Sequence, residues 1–129
     1  IGSCDFSIQG GSVDAAFISI TNFSIVPNNG NLTGEEYNIW AGDNVTKLGE
    51  TIAQSEGYIT STNANVNADG IYYTDMGEAT YLSAFGDSGG PVYLTDSKKV
   101  IGIHKGSTAF TSIFVKVDNI ASKLNAHFN

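Results

Sequence analysis

With 129 residues the chain is sized for one domain, and 41% apolar against 15% charged residues is too apolar for a disordered tail. A net charge of −7, six lysines and no arginine, with Lys98-Lys99 as the only close basic pair, argue against a nucleic-acid partner. No apolar run approaches the ~20 residues that cross a bilayer, so no membrane association is expected.

Fifteen glycines and two prolines among many Ser, Thr and Asn suit short strands joined by turns. In chain order, Cys4 has no internal partner and is either a buried thiol or half of a bridge to something outside the chain. Asp14-Ala-Ala-Phe-Ile-Ser-Ile20 reads as a buried strand. Asn22, Asn31 and Asn44 each open a glycosylation sequon, a weak pointer to secretion. Asn28-Asn29-Gly30-Asn31 is a turn, and Tyr37 to Ala41 alternates as a strand would. Thr46 to Ser55 alternates loosely, with Leu48 and Ile52 inward. Gly57 to Ser61 is a further strand, Asn63 to Gly70 reads as polar turn, Gly70 to Asp75 as strand and Ala79 to Leu82 as another. Pro91–Leu94 and Val100–His104 form a hairpin around Thr95 to Lys99, and Ser112 to Val117 is the last strand. Then the period changes: Ile120, Leu124 and Phe128 fall on one face of a helix that Asp118 or Asn119 can cap. Many short strands followed by one helix predict an antiparallel barrel or sandwich.

Between two of these strands stands Gly86-Asp87-Ser88-Gly89-Gly90-Pro91. Glycines permit backbone conformations closed to other residues. They let a serine stand exposed on a tight turn while the amides of Gly86 and Ser88 converge as an oxyanion hole. The motif, with the hairpin after it and the C-terminal helix, resembles the chymotrypsin-like serine proteases over residues 48–129. Val13-Asp14-Ala15-Ala16-Phe17-Ile18 resembles that family's catalytic-aspartate strand more weakly. The resemblance implies an all-β chain: a Greek-key antiparallel β-barrel of the chymotrypsin-like type with a C-terminal α-helix. Residues 1–27 would be a remnant of the N-terminal barrel and 28–129 the C-terminal barrel.

It further implies Ser88 as nucleophile and Asp14 as the acid that orients a histidine base. The family order is His, Asp, Ser, yet His104 and His127 both follow Ser88. The base is therefore expected upstream of Ile1, on an N-terminal segment or a second chain. Six residues before Ser88 stands Leu82, where trypsin-like members carry an Asp, so a preference for Lys or Arg is not expected. Gly102-Ile103-His104-Lys105-Gly106 resembles the glutamyl endopeptidases. Ser83, His104 and Ser107 match the residues that hold a substrate carboxylate in the streptomycete type. A protonated histidine neutralises a carboxylate that is costly to bury alone, and hydroxyls add hydrogen bonds. Lys105, next to His104 on its strand, is expected on the opposite face, at the surface.

The expectation is a secreted serine endopeptidase cleaving peptides or proteins after acidic residues, Glu preferred. A non-catalytic homologue that binds peptides or proteins is the alternative, because the base is missing. No cofactor or metal is expected, since there is no phosphate loop and no Cys/His cluster of zinc spacing.

Overall fold

The computed structural model describes residues 2–20 and 32–126. His127, Phe128, the Asn22 and Asn31 sequons and the 27/28 boundary lie outside them. Two antiparallel strands, β1 (Gly2–Gly10) and β2 (Val13–Ile20), form a hairpin. Only β2 was legible, because β1 carries no clear two-residue period. The six strands β3 (Asn44–Leu48), β4 (Gln54–Ala68), β5 (Ile71–Ala79), β6 (Pro91–Leu94), β7 (Val100–Ser107) and β8 (Ser112–Lys116) close into an antiparallel barrel in the order β3-β4-β5-β8-β7-β6. Helix α1 (Val117–Leu124) follows β8 directly. An all-β barrel with a C-terminal helix is what the sequence pattern and the family resemblance imply.

Alternation along the strands divides the apolar residues between two cores. Val45, Ile59, Ala79, Tyr81, Val92, Ile101 and Phe114 fill the barrel. On β8 the neighbours of Phe114, Ile113 and Val115, point the other way. There they join Tyr73, Met76, Ile120 and Leu124, with Ile8 and Ala15 of the hairpin packed alongside. This second core is what seats hairpin and helix on the barrel wall. Gly11 completes the seating by exchanging backbone bonds with Tyr72 (3.3 Å) and Thr74 (2.7 Å) on β5.

Several local expectations are corrected. Tyr37 to Ala41 forms no strand; Ile39 packs against the barrel core, and just before this segment Glu35 bridges to Val100. Asn63 to Gly70 is not a turn but the end of β4, with only Asp69-Gly70 turning. Asn63, Asn65 and Asn67 are exposed while Ala64, Val66 and Ala68 are half-buried, so a two-residue period is present with small inward residues. Thr80 to Leu82 leaves the sheet after β5 ends at Ala79. Leu48 and Ile52 are only half-buried, the fully buried run being Val45-Thr46-Lys47. Neither Asp118 nor Asn119 caps α1. Its N-cap is Lys116, without a side-chain bond, and Asp118 sits in the first turn where a negative charge suits the helix dipole. Cys4 is exposed, not buried.

Candidate active site

The loop from Ala84 to Gly90 joins β5 to β6 and is built around a buried carboxylate. Asp87 accepts from Lys47 Nζ (2.7 Å) and from the backbone amides of Thr51 (2.8 Å), Ile52 (3.0 Å) and Ala84 (3.0 Å). Lys47 also donates to the Ile52 carbonyl at 3.0 Å, and neither side chain of this ion pair is exposed. The Lys47 ammonium and the three amides hold the Asp87 carboxyl far below the usual carboxylate range, against the opposing effect of burial. A buried charge so fully bonded fixes the loop that carries it. The packing is tight enough that a Cβ on Gly49 would run into the Asp87 carboxylate.

Residues beside this anchor take their conformation from it. Gly86 has φ 102°, the left-handed region where glycine is favoured. The Asp87 amide donates to Ala84 O (3.0 Å) and the Gly90 amide to Asp87 O (3.1 Å). The amides of Gly86 and Ser88, on either side, have no acceptor among the described residues. Ser88 is exposed, and its hydroxyl donates to the Lys105 carbonyl at 2.7 Å. Two backbone bonds, Gly89 N to His104 O (2.9 Å) and His104 N to Gly90 O (2.8 Å), clip this loop to β7.

Lys105 itself departs from the expected surface position. Its side chain does point away from His104, but it is only 15% exposed, with Nζ 2.6 Å from Asp14 Oδ2 and 4.1 Å from the centre of the Tyr73 ring. Burial works against its charge; Asp14 and Tyr73 more than offset that, and its pKa rises. Asp14 and Ser88 thus meet on one residue, Asp14 at the ammonium and Ser88 at the carbonyl. Asp14 Oδ1 has no partner among the described residues.

Ser88 lines a shallow hollow with Gly86, Asp87 and Gly49, and a separate cleft of about 150 Å³ is lined by residues 80–83 and 107–112. Ser83 and Ser107 both line it, and Leu82 stands exposed at its rim. His104 does not line the cleft. It lies behind Tyr81, 2% exposed, with Nδ1 2.8 Å from the Tyr81 hydroxyl and the two rings edge to face. Burial, reinforced by the Lys47 ammonium and partly opposed by Asp87, lowers its pKa to about 4, so the unliganded ring is neutral rather than protonated at pH 7. Ser83 Oγ and Ser112 Oγ are 2.8 Å apart, and Ser112 donates to the Tyr81 carbonyl at 2.8 Å. Ser112 has one proton and spends it there, so Ser83 is the donor of the pair.

Lys47, Tyr81 and Ser112 carry no motif and were missed. For Lys47 a signal existed: an Asp inside a tight glycine motif needs a cation, and few lysines sit among apolar strand residues.

The trypsin family profile matches residues 19–124. The chain belongs to the trypsin family. Asp14 lies just ahead of the matched span. Glutamyl endopeptidase 2 of Streptomyces griseus is 39% identical over 72 residues, covering 55% of this chain; the chain spans 37% of that relative. Two solved structures share the family fold. A glutamic acid specific serine protease, described as using a novel histidine triad in substrate binding, has a TM-score of 0.81 at 22% identity, covering 96% of this chain and 72% of its own. Nocardiopsis protease gives 0.82 at 20% identity, covering 96% and 71%. No helix among the described residues is long and apolar enough to cross a membrane.

Proposed function

We propose that this chain is the nucleophile-bearing part of a serine endopeptidase that cleaves peptides or proteins after acidic residues, Glu before Asp. The observation that carries the reading is the exposed Ser88 hydroxyl on a loop locked by Asp87, with the flanking amides of Gly86 and Ser88 unpartnered among the described residues. In this reading residues 1–27 close an N-terminal barrel and 28–129 form the C-terminal one. A histidine from a preceding segment, or from a second chain, acts as base. The partners are that segment and the peptide substrate. The protein works outside the cell, with which the sequons are compatible.

Ser88 Oγ leaves the Lys105 carbonyl, gives its proton to that imidazole and attacks the scissile carbonyl carbon. The negative oxygen so formed takes hydrogen bonds from the Gly86 and Ser88 amides, each such donor typically worth about 10²–10³ in rate. Asp14 orients the imidazole through Oδ1, because Lys105 occupies Oδ2. The substrate carboxylate enters beside Ser83 and Ser107, with His104 supplying the basic group behind them. Since the chain carries −7 overall, attraction of an acidic side chain is local to this cleft.

The test is hydrolysis of matched Glu and Gln peptides by the full polypeptide, together with labelling by a serine-directed phosphonate. Glu cleavage lost in Ser88→Ala, with label on Ser88, is the expected result; no label on Ser88 in the full polypeptide refutes it. A second reading, a non-catalytic peptide-binding homologue, is favoured by one observation. Asp14 is held by the Lys105 ammonium, and the Ser88 hydroxyl is spent on the Lys105 carbonyl. Binding of Glu-ended peptides without turnover decides for it.

A further inference from the structure

A pocket for a carboxylate needs a cationic or strongly donating group held at a fixed angle. His104 is the one histidine among the described residues. The group that meets the His104 ring is a phenol. We propose that Tyr81 is the positioning residue for acidic-side-chain recognition: its hydroxyl pins Nδ1 of His104 and leaves Nε2 as the ring nitrogen offered to the substrate carboxylate. This rests on the reading of the cleft as the acidic-side-chain pocket.

Three observations carry it. First, the Tyr81 hydroxyl lies 2.8 Å from Nδ1, inside a core where both residues are at most 2% exposed, so the ring has one way to satisfy that nitrogen. Second, Nε2 has no hydrogen-bond partner among the described residues, and no side-chain nitrogen or oxygen sealed from solvent lacks one. Nε2 is therefore the ring nitrogen that keeps a trace of solvent contact and has no protein partner among the described residues. Third, Tyr81 also holds the other arm of the pocket. Its carbonyl accepts from Ser112, which in turn accepts from Ser83. One residue thus moors His104 by its side chain and Ser83 by its main chain.

The phenol suits both protonation states of the ring. Burial raises the Tyr81 pKa well above the ordinary tyrosine value, so the hydroxyl keeps its proton. Toward a neutral imidazole it donates to Nδ1, which places the ring proton on Nε2, facing the ligand. When a bound carboxylate draws a second proton onto the ring, Nδ1–H donates to the phenol oxygen instead, the hydroxyl hydrogen turning aside while the heavy atoms of both side chains stay in place. The charged groups that act on the ring are the Lys47 ammonium, which disfavours the imidazolium, and the Asp87 carboxylate, which favours it. Those two are bonded to each other, so the substrate carboxylate is the unmatched charge that decides the ring's state. Recognition then takes up one proton per acidic side chain bound.

The test uses the full polypeptide in a Ser88→Ala background, so that binding is read without hydrolysis, and compares peptides ending in Glu with those ending in Gln. Tyr81→Phe is expected to lower the Glu-over-Gln affinity ratio about tenfold, the worth of a hydrogen bond to a charged group. Gln-ended peptides should change less than about twofold. In ¹⁵N-histidine spectra the parent protein should show His104 as the Nε2–H tautomer, and Tyr81→Phe should release that preference. Equal loss for Glu and Gln peptides, an unchanged ratio, or an Nδ1–H tautomer in the parent protein overturns the proposal. If the parent protein shows the Nε2–H tautomer but no preference for Glu-ended peptides, the acidic-pocket reading is what fails, and the role of Tyr81 in recognition falls with it.

Discussion

His104 makes stability depend on pH in a direction and a window that can be worked out. Its folded pKa lies near 4 against 6.5 for the free side chain, because burial and the Lys47 ammonium disfavour the charged ring. Between those values the unfolded chain binds a proton that the folded chain does not, so stability rises with pH across the window and is lost as pH falls through it. The full difference is about 3 kcal/mol, of which about 2 kcal/mol disappears between about pH 7 and pH 5. At 2% exposure the ring has little solvent to screen it. Asp87, whose folded pKa is depressed, adds a loss only as pH falls further, once unfolded carboxylates begin to protonate. The assay is denaturant unfolding of the parent protein and His104→Gln at the two pH values. The parent should lose about 2 kcal/mol more than the variant. Equal losses in the two proteins would refute the assignment of a buried neutral ring.

Other substitutions test separate parts of the same frame. Lys47→Met leaves the Asp87 carboxylate buried without its cation and should sharply lower the denaturation midpoint, while adding Asp87→Leu should recover part of the loss; a double variant weaker than the single one would contradict this. Gly77→Ala places a methyl group inside the space of the Phe114 ring and should cost about 1–3 kcal/mol by overpacking, read from the unfolding midpoint. In the full polypeptide, Lys105→Met removes a positive charge beside Asp14, so the histidine that engages Asp14 should gain pKa and the acid limb of kcat/KM should move to higher pH. An unmoved limb argues that Asp14 does not serve that histidine.

What could be read from the sequence followed the physics of each signal. The glycine motif, the hairpin after it and the terminal helix were legible because each has a local pattern: tight-turn glycines, two apolar runs around a polar turn, a four-residue period. The polar end of β4 was misread because its inward residues, Ala64 and Ala68, are too small to mark a face. Tyr37 to Ala41 has the period of a strand, but no partner strand lies alongside it. Ser83 and Ser107 line one cleft and His104 stands behind it, and the residues that fix these groups are distant in sequence. Lys47 is forty residues from Asp87, Tyr81 twenty-three from His104, and Lys105 ninety-one from Asp14. Pairings of that range are made by barrel closure, which no local pattern encodes.

That long reach also dictates when the serine is assembled. The barrel closes only when β3 pairs with β6, joining Val45 to Leu94, and the Ser88 loop is clipped by bonds to His104. As the chain leaves the ribosome, Ser88 therefore emerges well before the strand that holds it in place. Such non-local pairing is intrinsically slow to form. The Ser88 loop thus takes up its setting only once β7 has paired, so the order of this serine depends on strands that follow it in the chain.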